Sequence, residues 1–159
     1  MGTAPEFFTK DWADAVRDAL QAGPDAEART AALPEYWDFF ELIKSVYDSS
    51  WALGVRDLPG AGSSTPTSYL FVQWGGGSVT DCRIVGPDEP LEATYVLVAS
   101  YDAWRDLLEG YDAKKTVMYR RILLEEGDVL EFFKTIYFFV ENLALIGRVP
   151  ASVPAPVNG

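Results

Sequence analysis

Strand-like residues occupy the middle of this chain, between segments of helical spacing at both ends. WALGVRDL alternates Trp51, Leu53 and Val55 with other residues, as a half-buried strand does. YLFVQW and SVTDCRIV flank three glycines and predict a β-hairpin. TYVLVAS (94–100) is apolar at odd and even positions, which predicts an inner strand. The centre of the chain should therefore form a sheet.

The first 50 residues have the spacing of amphipathic helices. TKDWADAVRDALQAG places Trp12, Val16 and Leu20 on one face and ends before a Gly-Pro pair. LPEYWDFFELIKSVYDSS carries a broad apolar stripe that includes Phe39 and Phe40. Two helices should precede the sheet.

The second half of the chain returns to helical spacing. A short helix is predicted around Trp104, and RILLEE is expected to be a last strand. A long helix should follow Gly127, with Asp128 and Glu131 at capping-box spacing. Helices at both ends of a mainly antiparallel sheet of about five strands predict an α+β fold.

The length of 159 residues favours one domain with a sizeable core. We assign it to residues 1–148. Residues 149–159 contain several prolines and are expected to form a flexible tail.

The formal net charge of −11 excludes several functions. Nucleic-acid binding requires a basic surface, which the sequence lacks, and an anionic membrane is disfavoured for the same reason. The longest apolar region, 132–147, contains Lys134, Glu141 and Asn142 and is shorter than the ~20 residues of a membrane span. No secretory signal is apparent at the N-terminus. We therefore expect a cytoplasmic protein without stable membrane insertion.

The chain has no histidine and a single cysteine, Cys82. These counts exclude Ser-His-Asp and Cys-His catalysis, His-ligated metals, multi-cysteine zinc sites and an internal disulfide. No acidic spacing matches a calcium loop. We expect no metal and no cofactor.

Carboxylates are the remaining acid-base candidates, because a buried carboxyl group can titrate near neutrality. Asp38, Glu41, Glu131 and Glu141 lie among aromatic residues. On a helical wheel, however, Glu131 and Glu141 share an arc with Lys134 and Asn142, as on a solvated face. No catalytic residue is assigned.

The order of elements from 94 to 146 resembles the sterol carrier protein superfamily, in particular its bacterial lipid-binding domains. The resemblance depends on a strand leading into YDAWRDLLEG, a short helix, a strand ending in EGD and a long helix. The matching residues are Trp104, Leu107, Leu108, Gly110, Asp112, Gly127 and Asp128. FFTKDWADAVRDAL also looks like the first helix of bacterial members.

Two segments depart from the pattern of that superfamily. A glycine is usual near the start of the strand before EGD, where this chain has Tyr119-Arg120-Arg121. The segment from Tyr36 to Tyr47 is unusually aromatic. The ligand preferences of the family are therefore not carried over.

The resemblance implies a mixed sheet covered by helices, with an apolar tunnel for a fatty acid, acyl-CoA, sterol or similar ligand. On that basis the protein would bind or carry an apolar small molecule. The expected tunnel walls are Leu53, Val55, Leu70, Val72, Val96, Trp104, Leu108, Met118, Phe133, Tyr137 and Val140.

Two other functions stay open at this point. The same cavity could serve an enzyme with a carboxylate or tyrosine as acid or base. Alternatively, the aromatic residues could fill the core completely, and the domain would then be a dimeric interaction module.

The helical wheel of the C-terminal segment predicts an unusual surface. Phe132, Phe133, Tyr137 and Val140 fall on the broad apolar side, while Phe138 and Leu145 fall on the polar arc. Two aligned apolar residues on a polar face suggest a contact, either with another part of the chain or with a second copy in a homodimer.

Overall fold

The computed structural model describes residues 4–56, 68–86 and 89–152. The helices are α1 Lys10–Ala22, α2 Ala26–Arg29, α3 Pro34–Val46, α4 Tyr101–Leu108, α5 Ala113–Met118, α6 Val129–Lys134 and α7 Ile136–Arg148. The strands are β1 Ser50–Arg56, β2 Ser68–Gly75, β3 Ser78–Val85, β4 Tyr95–Ser100 and β5 Ile122–Glu126. The α+β class and the predicted element order are confirmed.

The five strands form one sheet in the order β3-β2-β1-β4-β5. β1 and β4 are parallel, and the other neighbours are antiparallel. β4 lies between β1 and β5, as its two-sided apolar sequence predicts. β2 and β3 are joined by Gly76 and Gly77, which both have positive φ, as a type I′ turn requires.

The helices cover one face of the sheet. Trp12, Val16 and Leu20 of α1 are completely buried, in agreement with the predicted face. α1 packs on β3, and α7 packs on α1, α3, α4 and α5. The main core therefore lies between the sheet and these helices, whereas Ala52, Val96 and Val98 form a small separate cluster.

Polar side chains cap the N-termini of the three short helices in the second half of the chain. Ser100 caps α4, Asp112 caps α5 and Asp128 caps α6. Asp128 Oδ1 accepts from the Glu131 backbone N–H at 3.1 Å, whereas the Glu131 carboxylate accepts from Lys134 Nζ at 2.8 Å. These caps fix the ends of elements too short to be stable alone.

Part of the segment predicted as a tail contacts the domain, through Val149, Ala151 and Ser152. Val149 is buried. Ser152 pairs with the N-terminal segment through Phe7 N–H to Ser152 O at 2.9 Å and Ser152 N–H to Pro5 O at 2.8 Å. The rest of the predicted tail, 153–159, lies outside the described residues.

Candidate functional site

Aromatic rings occupy the space between the inner sheet face and the helices. Leu53, Val55, Leu70 and Val72, four predicted tunnel walls, are buried there. The surrounding rings, from β1, β2 and α7, contact one another. Trp51 and Trp74 lie 5.6 Å apart, Trp74 and Phe138 5.1 Å, and Trp51 and Phe139 5.0 Å, centroid to centroid. These rings therefore pack against one another around the predicted walls.

Trp104 belongs to the same packing. Its side chain is 1% exposed. Its ring lies 5.8 Å from Phe7, 5.6 Å from Phe8 and 6.3 Å from Trp12, and its Nε1–H donates to Gly54 O at 2.9 Å. The indole therefore anchors α4 to β1 and the N-terminal segment.

Val96 cannot share a cavity with Leu53, because the two lie on opposite faces of the sheet. Val96 is paired with Ala52 and Leu97 with Leu53 in the parallel register. Side chains alternate between faces along a strand, so the odd positions of β4 face the helices and Val96 faces away. Because β4 is apolar at odd and even positions alike, its sequence does not indicate which of its side chains face the helices.

The predicted phase of the C-terminal helix was right for Phe132 and Val140, which are buried, and wrong for Phe133 and Tyr137, which are exposed. Thr135, with φ −119° and ψ 29°, separates α6 from α7. α7 packs on α1, α3, α4 and α5, so it is buried on more than the one side that the helical wheel predicts. Phe133, in α6, is 51% exposed, and Tyr137, in α7, is also exposed, although both were predicted to face the sheet. Met118, at the end of α5, is exposed as well.

Phe138 and Leu145 are buried, which overturns the exposed stripe on which the homodimer prediction rested. Phe138 lies 4.6 Å from Tyr47 and 5.2 Å from Phe40, centroid to centroid. Asn142, predicted to lie on the solvated arc, is also buried, and its Nδ2 donates to Phe138 O at 2.8 Å. The loop after α3 and α3 itself cover this side of α7.

An open cleft of about 530 Å³ lies between the α2–α3 segment and α7. We call it the α3–α7 cleft. Its lining consists of Pro24, Ala28, Ala31, Ala32, Tyr36, Trp37, Phe39, Lys114, Tyr137, Glu141, Ala144, Leu145 and Arg148. A narrow apolar slit adjoins it and shares Tyr36, Phe39 and Tyr137. Tyr137 is the one predicted wall residue in this lining.

A polar pair lies within the cleft. Tyr36 Oη donates to Glu141 Oε1 at 2.8 Å. Partial burial and the neighbouring Glu141 raise the pKa of Tyr36 well above its usual value, so the phenol keeps its proton. Tyr36 is thus a hydrogen-bond donor at neutral pH and an unsuitable general base.

The other carboxylates considered as acid-base groups lie at the surface, two of them in ion pairs. Glu41 Oε1 accepts from Arg29 Nη2 at 2.6 Å, and Glu131 is paired with Lys134. Asp38 is exposed. Among the described residues, no group of three or more Cys, Asp or Glu side chains is arranged to hold a metal ion.

A second concavity, of about 770 Å³, runs along the α4–α5 connection and the C-terminal half of α7. We call it the α4–α7 groove. It contains Leu108 and Val140 from the predicted walls, together with polar residues including Glu109, Asp112 and Lys114. Lys114, Glu141, Ala144 and Arg148 line both the groove and the α3–α7 cleft.

Sequence reasoning missed Trp37 and Phe39 as site residues. The signal was present in the high aromatic content from Tyr36 to Tyr47. That content shows only that rings are abundant, and only the packing shows which rings are exposed beside α7.

In the described part of the chain, no helix is long and apolar enough to cross a membrane.

The chain matches no protein-family model and no curated protein. It is similar to a crystal structure of sterol carrier protein 2, with 22% identity and a TM-score of 0.69, over 91% of this chain and 100% of that one. It is also similar to the solution structure of the conserved hypothetical protein TT1886 from Thermus thermophilus, with 22% identity and a TM-score of 0.64, over 97% and 99% of the two chains. The protein therefore has the sterol carrier protein fold.

Proposed function

We propose that the protein binds an apolar small molecule in the α3–α7 cleft. The observation that carries this proposal is the exposure of aromatic rings beside an open concavity. Phe39 and Tyr137 are exposed at the cleft although both are large and apolar. Ligand pockets are typically concave and lined by apolar and aromatic side chains with a few polar groups.

The organisation of α3 supports this location. α3 buries Trp37 and Phe40 but leaves Phe39, Leu42 and Val46 exposed. The segment is therefore apolar on more than the one face that the core uses. A ligand between α3 and α7 would remove part of this surface from water, at roughly 25 cal/mol per Å² of apolar area.

A neutral fluorescent probe tests the proposal. N-phenyl-1-naphthylamine should show saturable binding, and Phe39→Ser with Tyr137→Ser should weaken it at least tenfold. Leu130→Ser is the matched control, because Leu130 is exposed on α6 and does not line the cleft. Absence of saturable binding, or equal weakening by the control, would contradict the proposal.

An interaction module is the second candidate function, and the aromatic packing beneath α7 favours it. If the rings packed on the inner sheet face leave no room for a ligand, exposed side chains such as Leu42 and Val46 would contact a partner instead. Under this alternative no probe binds, and the sedimentation coefficient rises with protein concentration. Probe binding at constant sedimentation would exclude it.

A further inference from the structure

We propose that α3 carries a docking surface for a basic, amphipathic helix of a partner protein. The surface consists of Phe39, Leu42 and Val46, which we call the α3 stripe. Leu42 and Val46 line neither the α3–α7 cleft nor the slit beside it, so the proposal goes beyond the apolar ligand and holds whether or not one binds. It supplies the chemistry of the partner that the interaction function above leaves open.

The three side chains of the α3 stripe share one side of the helix. They follow one another at the spacing of helical turns, which places them within one arc. Their exposed fractions are 52% for Phe39, 58% for Leu42 and 68% for Val46. Trp37 and Phe40, which α3 buries in the core, lie on the opposite side. The helix is therefore apolar on two sides, and the second of them is exposed.

The α3 stripe borders the narrow apolar slit between α3 and the joint of α6 and α7. Phe39 lines this slit together with Ile43 and Tyr137. A partner helix binds to such a surface by its apolar face, with anchors spaced by one turn. Phe39 and Val46 are two turns apart, about 10 Å at the rise of an α-helix. A short amphipathic helix is therefore long enough to cover the stripe.

Carboxylates without cationic partners border the stripe. Glu35 and Asp38 are exposed on α3, and Asp48 is exposed in the loop that follows the helix. Among the described residues, no ion pair within 4.0 Å involves any of the three. This acidic border complements a partner that carries lysine or arginine beside its apolar face.

The cations beside α3 have partners of their own. Lys44 Nζ donates to a backbone carbonyl oxygen of α1 at 3.3 Å. Arg29 is paired with Glu41 of α3. Lys134, which lines the slit, is paired with Glu131. The uncompensated charge around the stripe is therefore negative.

This charge disfavours two other occupants of the stripe. A second copy docked through the same surface would bring the acidic borders of both copies together, with like charges facing each other. An anionic membrane would be repelled by Glu35 and Asp38 in the same way. A basic helix avoids both forms of repulsion.

Fluorescence anisotropy with synthetic peptides tests the chemistry of the partner. The basic probe is a labelled peptide of leucine and lysine at the spacing of an amphipathic helix. It should bind the parent protein with saturation, and added salt should weaken it. A peptide with glutamate in place of lysine, and one of the same composition in scrambled order, should each bind about tenfold more weakly. Equal affinity of the three peptides, or no saturable binding of the basic one, would overturn the proposal.

Leu42→Ser with Val46→Ser should weaken the basic peptide about tenfold, because the variant removes two apolar anchors. Met118→Ser with Leu123→Ser is the matched control. It also replaces two exposed apolar residues, but at the end of α5 and on β5, away from the cleft and the slit. The control should leave the affinity unchanged, and equal weakening by the two variants would contradict docking at the stripe.

Glu35→Gln with Asp38→Asn should lower both the affinity for the basic peptide and its salt dependence. Glu125→Gln with Glu126→Gln, which removes two exposed carboxylates from β5, should have a much smaller effect. Equal effects would mean that the net charge attracts the peptide, and the acidic border would have no part in recognition.

Two further measurements distinguish a partner helix from other occupants. Self-association in sedimentation velocity, or binding to vesicles of phosphatidylcholine and phosphatidylglycerol, would overturn the proposal if Leu42→Ser with Val46→Ser abolished it. The same variant should keep the affinity of the parent protein for N-phenyl-1-naphthylamine, and a loss would assign the stripe to the ligand site. If the parent protein binds the basic peptide but not this probe, the ligand function fails and the docking surface stands.

Discussion

At the residue scale, Trp104 shows how an aromatic residue suggestive of a cavity can serve as an anchor. Its indole N–H bonds to Gly54 O in the core. Trp37 has a comparable bond, from Nε1 to Arg29 O at 2.7 Å, but its side chain also lines the α3–α7 cleft. Substitutions of these two tryptophans should therefore distinguish an effect on stability from an effect on ligand binding.

Trp104→Phe should lower the free energy of unfolding by about 1–3 kcal/mol, because it leaves a buried carbonyl without its donor. It should not change the affinity for N-phenyl-1-naphthylamine. Trp37→Phe should weaken probe binding. Urea denaturation and probe titration measure the two effects, and a changed affinity in Trp104→Phe alone would place the ligand in the core.

Gly127 is required by both backbone and packing. Its φ is +121°, and an added Cβ would lie 2.6 Å from Tyr95 Cδ1 and 2.7 Å from Thr94 O. Gly127→Ala should therefore lower the free energy of unfolding by about 3–5 kcal/mol. Gly76→Ala, also at positive φ but with no atom within 4 Å, should cost only about 1–2 kcal/mol. Equal losses in urea denaturation would show that packing at Gly127 contributes nothing.

At the element scale, α6 and α7 each present some apolar side chains to the core and others to the surface. Phe138 is 2% exposed and lies among the rings of Phe40, Tyr47 and Trp74, whereas Phe133 points outward. One apolar sequence is thus divided between core and surface within each of the two helices.

Phe138→Ala should lower the free energy of unfolding by about 3–5 kcal/mol, because it removes a buried ring. Phe133→Ala should change it by less than about 1 kcal/mol. Chemical denaturation of the two variants provides the test. The reverse order would restore the phase of an uninterrupted helix.

At the scale of the whole molecule, alkaline pH should lower the free energy of unfolding. The cause is the burial of thiol and phenol groups that keep their protons in the folded state. Burial is the main cause that raises the pKa of Cys82 from 9.0 to about 12 and the pKa of Tyr47 from 10.0 to about 12. Below the unfolded pKa of each group, both states are protonated and this stability is fully present. As pH rises from about 9 to about 12, the unfolded groups ionise first, so stability falls.

Cys82→Ala isolates the contribution of the thiol to this pH dependence. Its free energy of unfolding should decrease less steeply with pH between about 9 and 11 than that of the parent protein, because the thiol no longer contributes while Tyr47 and the other tyrosines with a raised pKa still do. Urea denaturation at several pH values measures the slope. Identical slopes would indicate that the Cys82 thiol titrates equally in both states.

Local sequence patterns predicted the strands, most helices and the α+β class, because periodicity and capping residues act over a few positions. Trp12, Val16 and Leu20 share a buried face for that reason. The Gly76-Gly77 turn likewise follows from the low cost of positive φ at glycine. The resemblance around Trp104 and Gly127 added that the sheet is mixed, which periodicity alone does not specify.

The location of the candidate site depended on tertiary structure. Whether a ring fills the core or lies beside a cleft depends on contacts between distant segments, such as Tyr36 with Glu141 and Phe138 with Tyr47. Residue type is the same in both cases, since aromatic residues serve filled cores and ligand pockets alike. The sequence by itself therefore determined the elements and their order, while only the packing of α3 against α7 decided which apolar residues stayed exposed at a concavity.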